Sequence, residues 1–303
     1  MSRRVLIVAA LAVVSAAFLA VEIRDGWGDL SGEQFPAPGW FVLAVVLLAA
    51  GQVVIGEAMA ALPAPPTTAA DRRRTFHLTQ PAKYVPAGVA QAAGVVVVLV
   101  GRGASRSASA VVWIIHTGSL VVAGVAVGLV TAPALGWSPL LVVPGVAVTL
   151  AVSRPVLRPI FARVGRWGGV DALEAPPSVA LGGCLGAAIV GVALHGLGFA
   201  ALVRGADLDV GTVEALAAYT LAFGVSVATP LPGGLGAREA IILAVLGAAE
   251  SVLLVPVVLV RLVLIGIEVV LFGLARFGPG ARVSAGRDVR GGDGAAVPPA
   301  DPH

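Results

Sequence analysis

The sequence predicts an all-α fold: a polytopic transmembrane helical bundle of about eight spans plus a re-entrant segment, with Pro/Gly-broken helices. Mean hydropathy is +0.96. Hydrophobic residues make up 58% of the chain and charged residues 12%, where a soluble domain carries about twice that charged fraction. Several apolar runs approach or exceed the roughly 20 residues a helix needs to cross the hydrocarbon core. The breaks between some of them are rich in proline and glycine. Lipid offers a broken helix no hydrogen bonds, so such breaks persist at membrane depth only against protein or a water-filled cavity.

In chain order the candidate spans are 5–21, 40–62, 109–130, 138–152, 178–203, 212–229, 239–249 and 252–275, and 84–101 is a further apolar segment. The first follows Arg3 and Arg4 like a signal peptide. It is longer than the usual apolar region of about 7–15 residues, so it reads as an uncleaved span. Segment 138–152 is short and contains Pro144, which implies tilt or partial re-entry. Segment 239–249 spans only if the glycine-rich approach to it also lies in the bilayer. Residues 1–276 are read as one membrane domain. Residues 277–303, rich in Gly, Pro, Arg and Asp, read as a disordered cytoplasmic tail.

Arginine placement gives the orientation. Residues 22–39 hold Arg24 against Glu22, Asp25, Asp29 and Glu33 and read as external. Arg72, Arg73, Arg74 and Lys83, then Arg154, Arg158, Arg163 and Arg166, mark cytoplasmic loops, and Arg276, Arg282, Arg287 and Arg290 a cytoplasmic C-terminus. A full crossing by 84–101 would put Arg102, Arg106 and the next arginine-rich loop outside. Entry and exit on the cytoplasmic side remove that conflict, and Pro86, Gly88 and Gly94 allow a re-entrant hairpin. Both termini are then cytoplasmic, in a plasma-membrane protein. The formal charge of +3 is spread over short loops rather than gathered on one face, so no nucleic-acid partner is expected.

The break with the most chemistry is Thr229-Pro-Leu-Pro-Gly-Gly-Leu-Gly-Ala-Arg-Glu239. Gly233, Gly234 and Gly236 lead directly into Arg238 and Glu239. Interrupted helices of this kind hold substrates in many transporters. Arginine's planar donor fork suits phosphate; a helix cap with a stabilising ion pair is the plainer reading. Lys83 is the one lysine among 20 basic residues. It stands beside Tyr84 and Pro86 where an apolar segment begins, either as a point contact for phosphate or as an interfacial lysine beside an interfacial tyrosine. Arg261 and Glu268 lie in the last apolar run two helical turns apart, so each is expected to find its partner on another segment. Glu57 has a similar status near the end of its span. His116 and His195 read as imidazoles hydrogen-bonded between helices. Cys184 is the single cysteine, so no intrachain disulfide is possible, and it reads as a packed thiol. Neither metal-ligand spacing nor any phosphate-loop, nucleophile-elbow or zinc-protease motif is present. No catalytic residues, cofactor or metal are therefore expected.

Lys83-Tyr-Val-Pro-Ala-Gly88 and Leu231-Pro-Gly-Gly-Leu-Gly-Ala-Arg-Glu239 together resemble the two signatures of the lysylphosphatidylglycerol synthase transmembrane-region family. The likeness runs over about residues 40–276, and Arg261 and Glu268 fit the family's last long helix. Two departures stand out. Ala87 separates Pro86 from Gly88 where the family has Pro-Gly directly, and His116 occupies the place of an acidic residue. The resemblance implies a flippase-like domain that moves phospholipid between leaflets. The family's bifunctional members add a soluble aminoacyl-transferase domain at the C-terminus; with a short tail in that place, the resemblance implies an expectation that synthase activity is absent. On this expectation Lys83 and Arg238 hold the phosphate of a phospholipid or lipid-linked substrate. Glu239 and Glu268 balance charge, contact a cationic headgroup or exchange protons, while Arg261 orients a carboxylate. Tyr84, Pro86 and the glycines 233, 234 and 236 shape the site. A homo-oligomer or a pathway enzyme is the expected protein partner. The rival expectation is a non-transporting scaffold or accessory subunit of an envelope-lipid or polysaccharide pathway.

Overall fold

The computed structural model describes residues 35–84, 90–136, 176–228, 237–247 and 250–278. All regular structure among the described residues is helical. The elements are α1 (Pro38–Ala60), α2 (Ala69–Thr79), a 3₁₀ turn (Gln80–Tyr84), α3 (Ala90–Val100), α4 (Arg106–Thr131) with a 3₁₀ continuation (Ala132–Leu135), α5 (Ser178–Gly205), α6 (Thr212–Ala228), α7 (Ala237–Leu246) and α8 (Glu250–Phe277). Four stretches, Pro38–Ala60, Arg106–Leu135, Ser178–Gly205 and Val255–Phe277, are long and apolar enough to cross a bilayer. They correspond to segments 40–62, 109–130, 178–203 and 252–275, and they suggest a membrane-embedded protein.

The remaining segments differ from full spans for identifiable reasons. α6 has 17 residues and ends just before the Thr229–Pro230 break. α7 has only 10 residues, because Gly247 takes the left-handed conformation at φ 58° and its N–H bonds back to Leu243 O at 3.0 Å, closing the helix. Segment 84–101 contains a helix of 11 residues, about 16 Å long and so too short to cross. Segments 5–21 and 138–152, the tail from 279 onward, Pro86, and Gly233, Gly234 and Gly236 lie outside the described residues.

α2 is the polar member of the set, and its start is fixed by a reciprocal cap. Thr68 Oγ1 accepts from Asp71 N at 3.1 Å, and Asp71 Oδ2 accepts from Thr68 N at 3.0 Å. The arginines that follow each have a structural task. Arg72 donates from Nε and Nη2 to Ala60 O at 3.2 and 2.8 Å, satisfying a carbonyl at the end of α1. Arg73 pairs with Glu57 of α1. Arg74 Nε donates to Ala275 O of α8 at 2.6 Å. Arg102, just past α3, returns to the start of α2 and donates to Asp71 O and Oδ1 at 2.7 and 3.0 Å.

Apolar helices gain no hydrophobic drive by pairing in lipid, so close backbone approach through small residues must supply their packing. α1 lies along α5, and α4 along α6. The α4–α6 crossing leaves no room for a side chain: a Cβ on Gly124 would stand 2.6 Å from Gly224 Cα. At the α1–α5 crossing a Cβ on Gly191 would stand 2.6 Å from Ile55 Cγ1. Gly124→Val is expected to destabilise the bundle by about 1–3 kcal/mol through overpacking, read as a lowered unfolding midpoint in detergent; Gly118→Val, on the same helix with open space around it, serves as the tolerated control.

Candidate functional site

Two turns along α8 separate Arg261 from Glu268, with Leu264 between them on the same face. Neither charge pairs within its helix. Glu268, 3% exposed, receives the Lys83 ammonium on Oε1 and the Tyr84 hydroxyl on Oε2 at 3.0 Å. Lys83 Nζ also donates to Gln80 Oε1 at 3.2 Å. Arg261 Nη1 donates to Glu239 Oε1 of α7 at 2.5 Å. The two-turn spacing therefore has the predicted result, with each charge meeting a partner from a different segment.

Arg238, at the start of α7, is held differently. Its guanidinium carbon lies 5.0 Å from the Phe223 ring centroid and 5.7 Å from that of Tyr219. Its Nε and Nη1 reach Ser226 Oγ and Tyr219 OH only at 3.4 Å. Among the described residues no carboxylate stands within ion-pair distance of it. Tyr219, Phe223 and Ser226 are spaced i, i+4, i+7 on α6 and so present one face. Sequence reasoning missed all three, because in an apolar helix two aromatics and a serine look like core. Their spacing, opposite a cation with no carboxylate near in sequence except its neighbour Glu239, was the available signal.

Lys83, Tyr84, Arg238, Glu239, Arg261, Leu264 and Glu268 line a single cavity of about 20 Å³, roughly enough for one water. Six of the ten sequence-predicted site residues thus meet; the other four, Pro86 and the three glycines, lie outside the described residues. Among the described residues three cations face two carboxylates, a formal excess of one positive charge. Within this wall Glu239 Oε2 and Arg261 Nε are buried with no hydrogen-bond partner among the described residues. Such atoms are costly to leave unsatisfied.

The other singled-out residues stand apart. Glu57 lies with Arg73 at the end of α1, both side chains more than 40% exposed, so it is a surface pair. His116 packs edge-on against Phe76 at 5.2 Å and beside Trp113 at 6.5 Å. His195 meets the edge of Phe223 at 6.0 Å, behind the aromatic face that carries Arg238. His116 has no ring nitrogen with a hydrogen-bond partner among the described residues, so its imidazole acts as a ring-packing group in place of the expected interhelical hydrogen bond. The His195 imidazole, by contrast, meets the Leu48 backbone of α1. Cys184 is buried and free, its thiol 3.4 Å from Ser119 Oγ. The described residues contain no group of His, Cys, Asp and Glu able to hold a metal.

No family model matches the chain, and no curated protein matches it.

Removing one partner of a buried ion pair leaves the other charge uncompensated, which costs about 3–5 kcal/mol. Lys83→Met and Glu268→Met are each expected to destabilise by that order, while the double variant recovers most of the loss. A double-mutant cycle on detergent unfolding midpoints measures this, and additive losses would show that the pair is not energetically coupled.

Proposed function

We propose that this chain is a multi-pass membrane transporter that moves a phospholipid or lipid-linked substrate between leaflets, with no catalytic chemistry of its own. The observation that supports this reading is the charge excess at the cavity. Five ionisable side chains from three segments converge inside an apolar helical bundle, where isolated charges are expensive and usually mark a substrate or ion pathway. Lys83, Arg238 and Arg261 provide the donors an anionic phosphate needs, and Arg238 is the one with no carboxylate of its own among the described residues. Plasma-membrane residence with cytoplasmic termini belongs to the same proposal. So does the flippase-like character implied by the two sequence motifs.

The rival reading is a non-transporting scaffold of an envelope-lipid or polysaccharide pathway. The favouring observation is that Lys83 pairs with Glu268 and Arg261 with Glu239. Scrambling of fluorescent phospholipids in proteoliposomes separates the two. Wild type is expected to translocate lipid, and Arg238→Ala to slow it by roughly an order of magnitude or more, as for truncation of a desolvated charge contact. Equal rates in both, at equal reconstitution, would remove Arg238 from the site; absence of translocation for every headgroup would favour the scaffold.

Segment 84–101 is part of the proposal as a re-entrant hairpin. Arg74 meets Ala275 of α8, whereas Lys83 meets Glu268, seven residues earlier and about 10 Å further along the helix. The chain then returns through α3 to place Arg102 against Asp71. These contacts support a descent and return that begin and end at one level. Because Cys184 is buried, new cysteines can be read against a low background. Ala70→Cys and Arg106→Cys are expected to label from the same side of sealed vesicles with an impermeant maleimide, and labelling from opposite sides would show a full crossing.

A further inference from the structure

The cavity wall contains its own substitute for an anionic ligand. Lys83 and Arg261 are each occupied by a carboxylate of the protein, Glu268 and Glu239, and Arg238 rests on aromatic rings instead. The remaining space, about 20 Å³, is too small for a tetrahedral phosphate. Such a group fits only where a carboxylate gives way. If one does, the displaced carboxylate retains other donors: Glu268 keeps the Tyr84 hydroxyl on Oε2. Lys83 retains Gln80 as an acceptor, so neither group is stranded during the exchange.

Resting on the lipid-transport reading above, we propose that the site binds one phosphodiester monoanion in competition with its own carboxylates. Arg238 makes the first contact, and the ligand then replaces Glu268 at Lys83. Two observations carry this. Among the described residues the wall has three cations against two carboxylates, so a single negative charge on the ligand balances its formal charge. A dianionic phosphomonoester would overshoot, and a zwitterionic headgroup would leave the excess in place. Arg261 Nε and Glu239 Oε2, buried and without hydrogen-bond partners among the described residues, show that the second ion pair does not use up the hydrogen-bonding capacity of the wall. A ligand with both an acceptor oxygen and a donor hydroxyl could engage both atoms.

The competition has a sign that a simple binding role for Glu268 lacks. If Glu268 contacts the ligand or a coupling cation, neutralising it weakens binding. If Glu268 occupies the ligand's place, neutralising it strengthens binding, because two groups competing for Lys83 are coupled reciprocally. The test is titration of detergent-solubilised full-length protein with short-chain phosphatidylglycerol, phosphatidic acid and phosphatidylcholine, followed by tryptophan fluorescence or calorimetry. Wild type is expected to prefer the phosphatidylglycerol probe. Glu268→Gln is expected to bind it tighter by roughly five- to a hundredfold, the usual range of such couplings, and Arg238→Gln to lose it.

Weaker or unchanged binding in Glu268→Gln, with the probe still bound by wild type, overturns the competition and leaves the lipid reading standing. Equal affinity for the phosphatidylcholine probe, or tighter binding of phosphatidic acid, overturns the monoanion assignment. No binding of any probe by wild type or variant overturns both the inference and the lipid reading beneath it. Should Glu268→Gln fail to give monodisperse protein, Glu239→Gln makes the same test at Arg261, with the same expected tightening.

Discussion

A carboxylate in the middle of a long apolar helix is tolerable only when a cation and enough hydrogen-bond donors are brought to it. Glu268 imposes that requirement on this bundle. α8 supplies no partner on its own surface, since Arg261 is two turns away. The partner must come from another segment, at the depth where Glu268 lies. The 3₁₀ turn at Gln80–Tyr84 meets the requirement by delivering Lys83 and Tyr84 together, one to each carboxylate oxygen. For the turn to reach that depth, α2 must run alongside α8, and the Arg74–Ala275 contact fixes their alignment. The return through α3 is then closed by Arg102 on Asp71. The placement of residues 69–84 thus follows from where one acidic side chain sits.

The same reasoning applies to Glu239 and Arg261, but with a different balance. That pair joins α7, only 10 residues long, to α8. A helix this short has little apolar face to bury, so the ion pair and the α6 contacts hold it in place. Replacing a buried ion pair with well-packed apolar groups is often neutral or stabilising. Packing stability alone therefore does not account for five charges around one cavity. A requirement for a ligand or for a unique arrangement of segments does.

Charge spacing was the most legible feature of the site. Arg261 and Glu268 announced, through their two-turn separation, that each would be answered from elsewhere, and Lys83 and Glu239 were both already singled out. The Arg238 environment was not legible. Tyr219 and Phe223 hold it by ring contacts across from another helix, and nothing in an apolar sequence separates such aromatics from ordinary core. The short segment 239–249 was legible as short, and its end is set by a local device, the left-handed backbone of Gly247 that closes α7 at Leu246. His116 departed from expectation: a polar residue in an apolar run suggests a hydrogen bond, yet its imidazole meets aromatic rings.

Basic residues near Glu57 and Asp71 carry two readings that turn out to be one. Counting arginines in loops treats them as orientation signals that need only remain on one side. Here Arg72 closes the end of α1, Arg73 holds Glu57, Arg74 fixes α8, and Arg102 ties the end of α3 to Asp71. All four act at one end of the described helices. A guanidinium bound to a helix-end carbonyl cannot be drawn through hydrocarbon without breaking that bond and losing its hydration. The groups that would set orientation therefore also tie α2 and the end of α3 to the neighbouring helices. Lys83 is the exception: its compact ammonium on a flexible stem goes to the Glu268 carboxylate, about two turns of α8 away from the Arg74 contact.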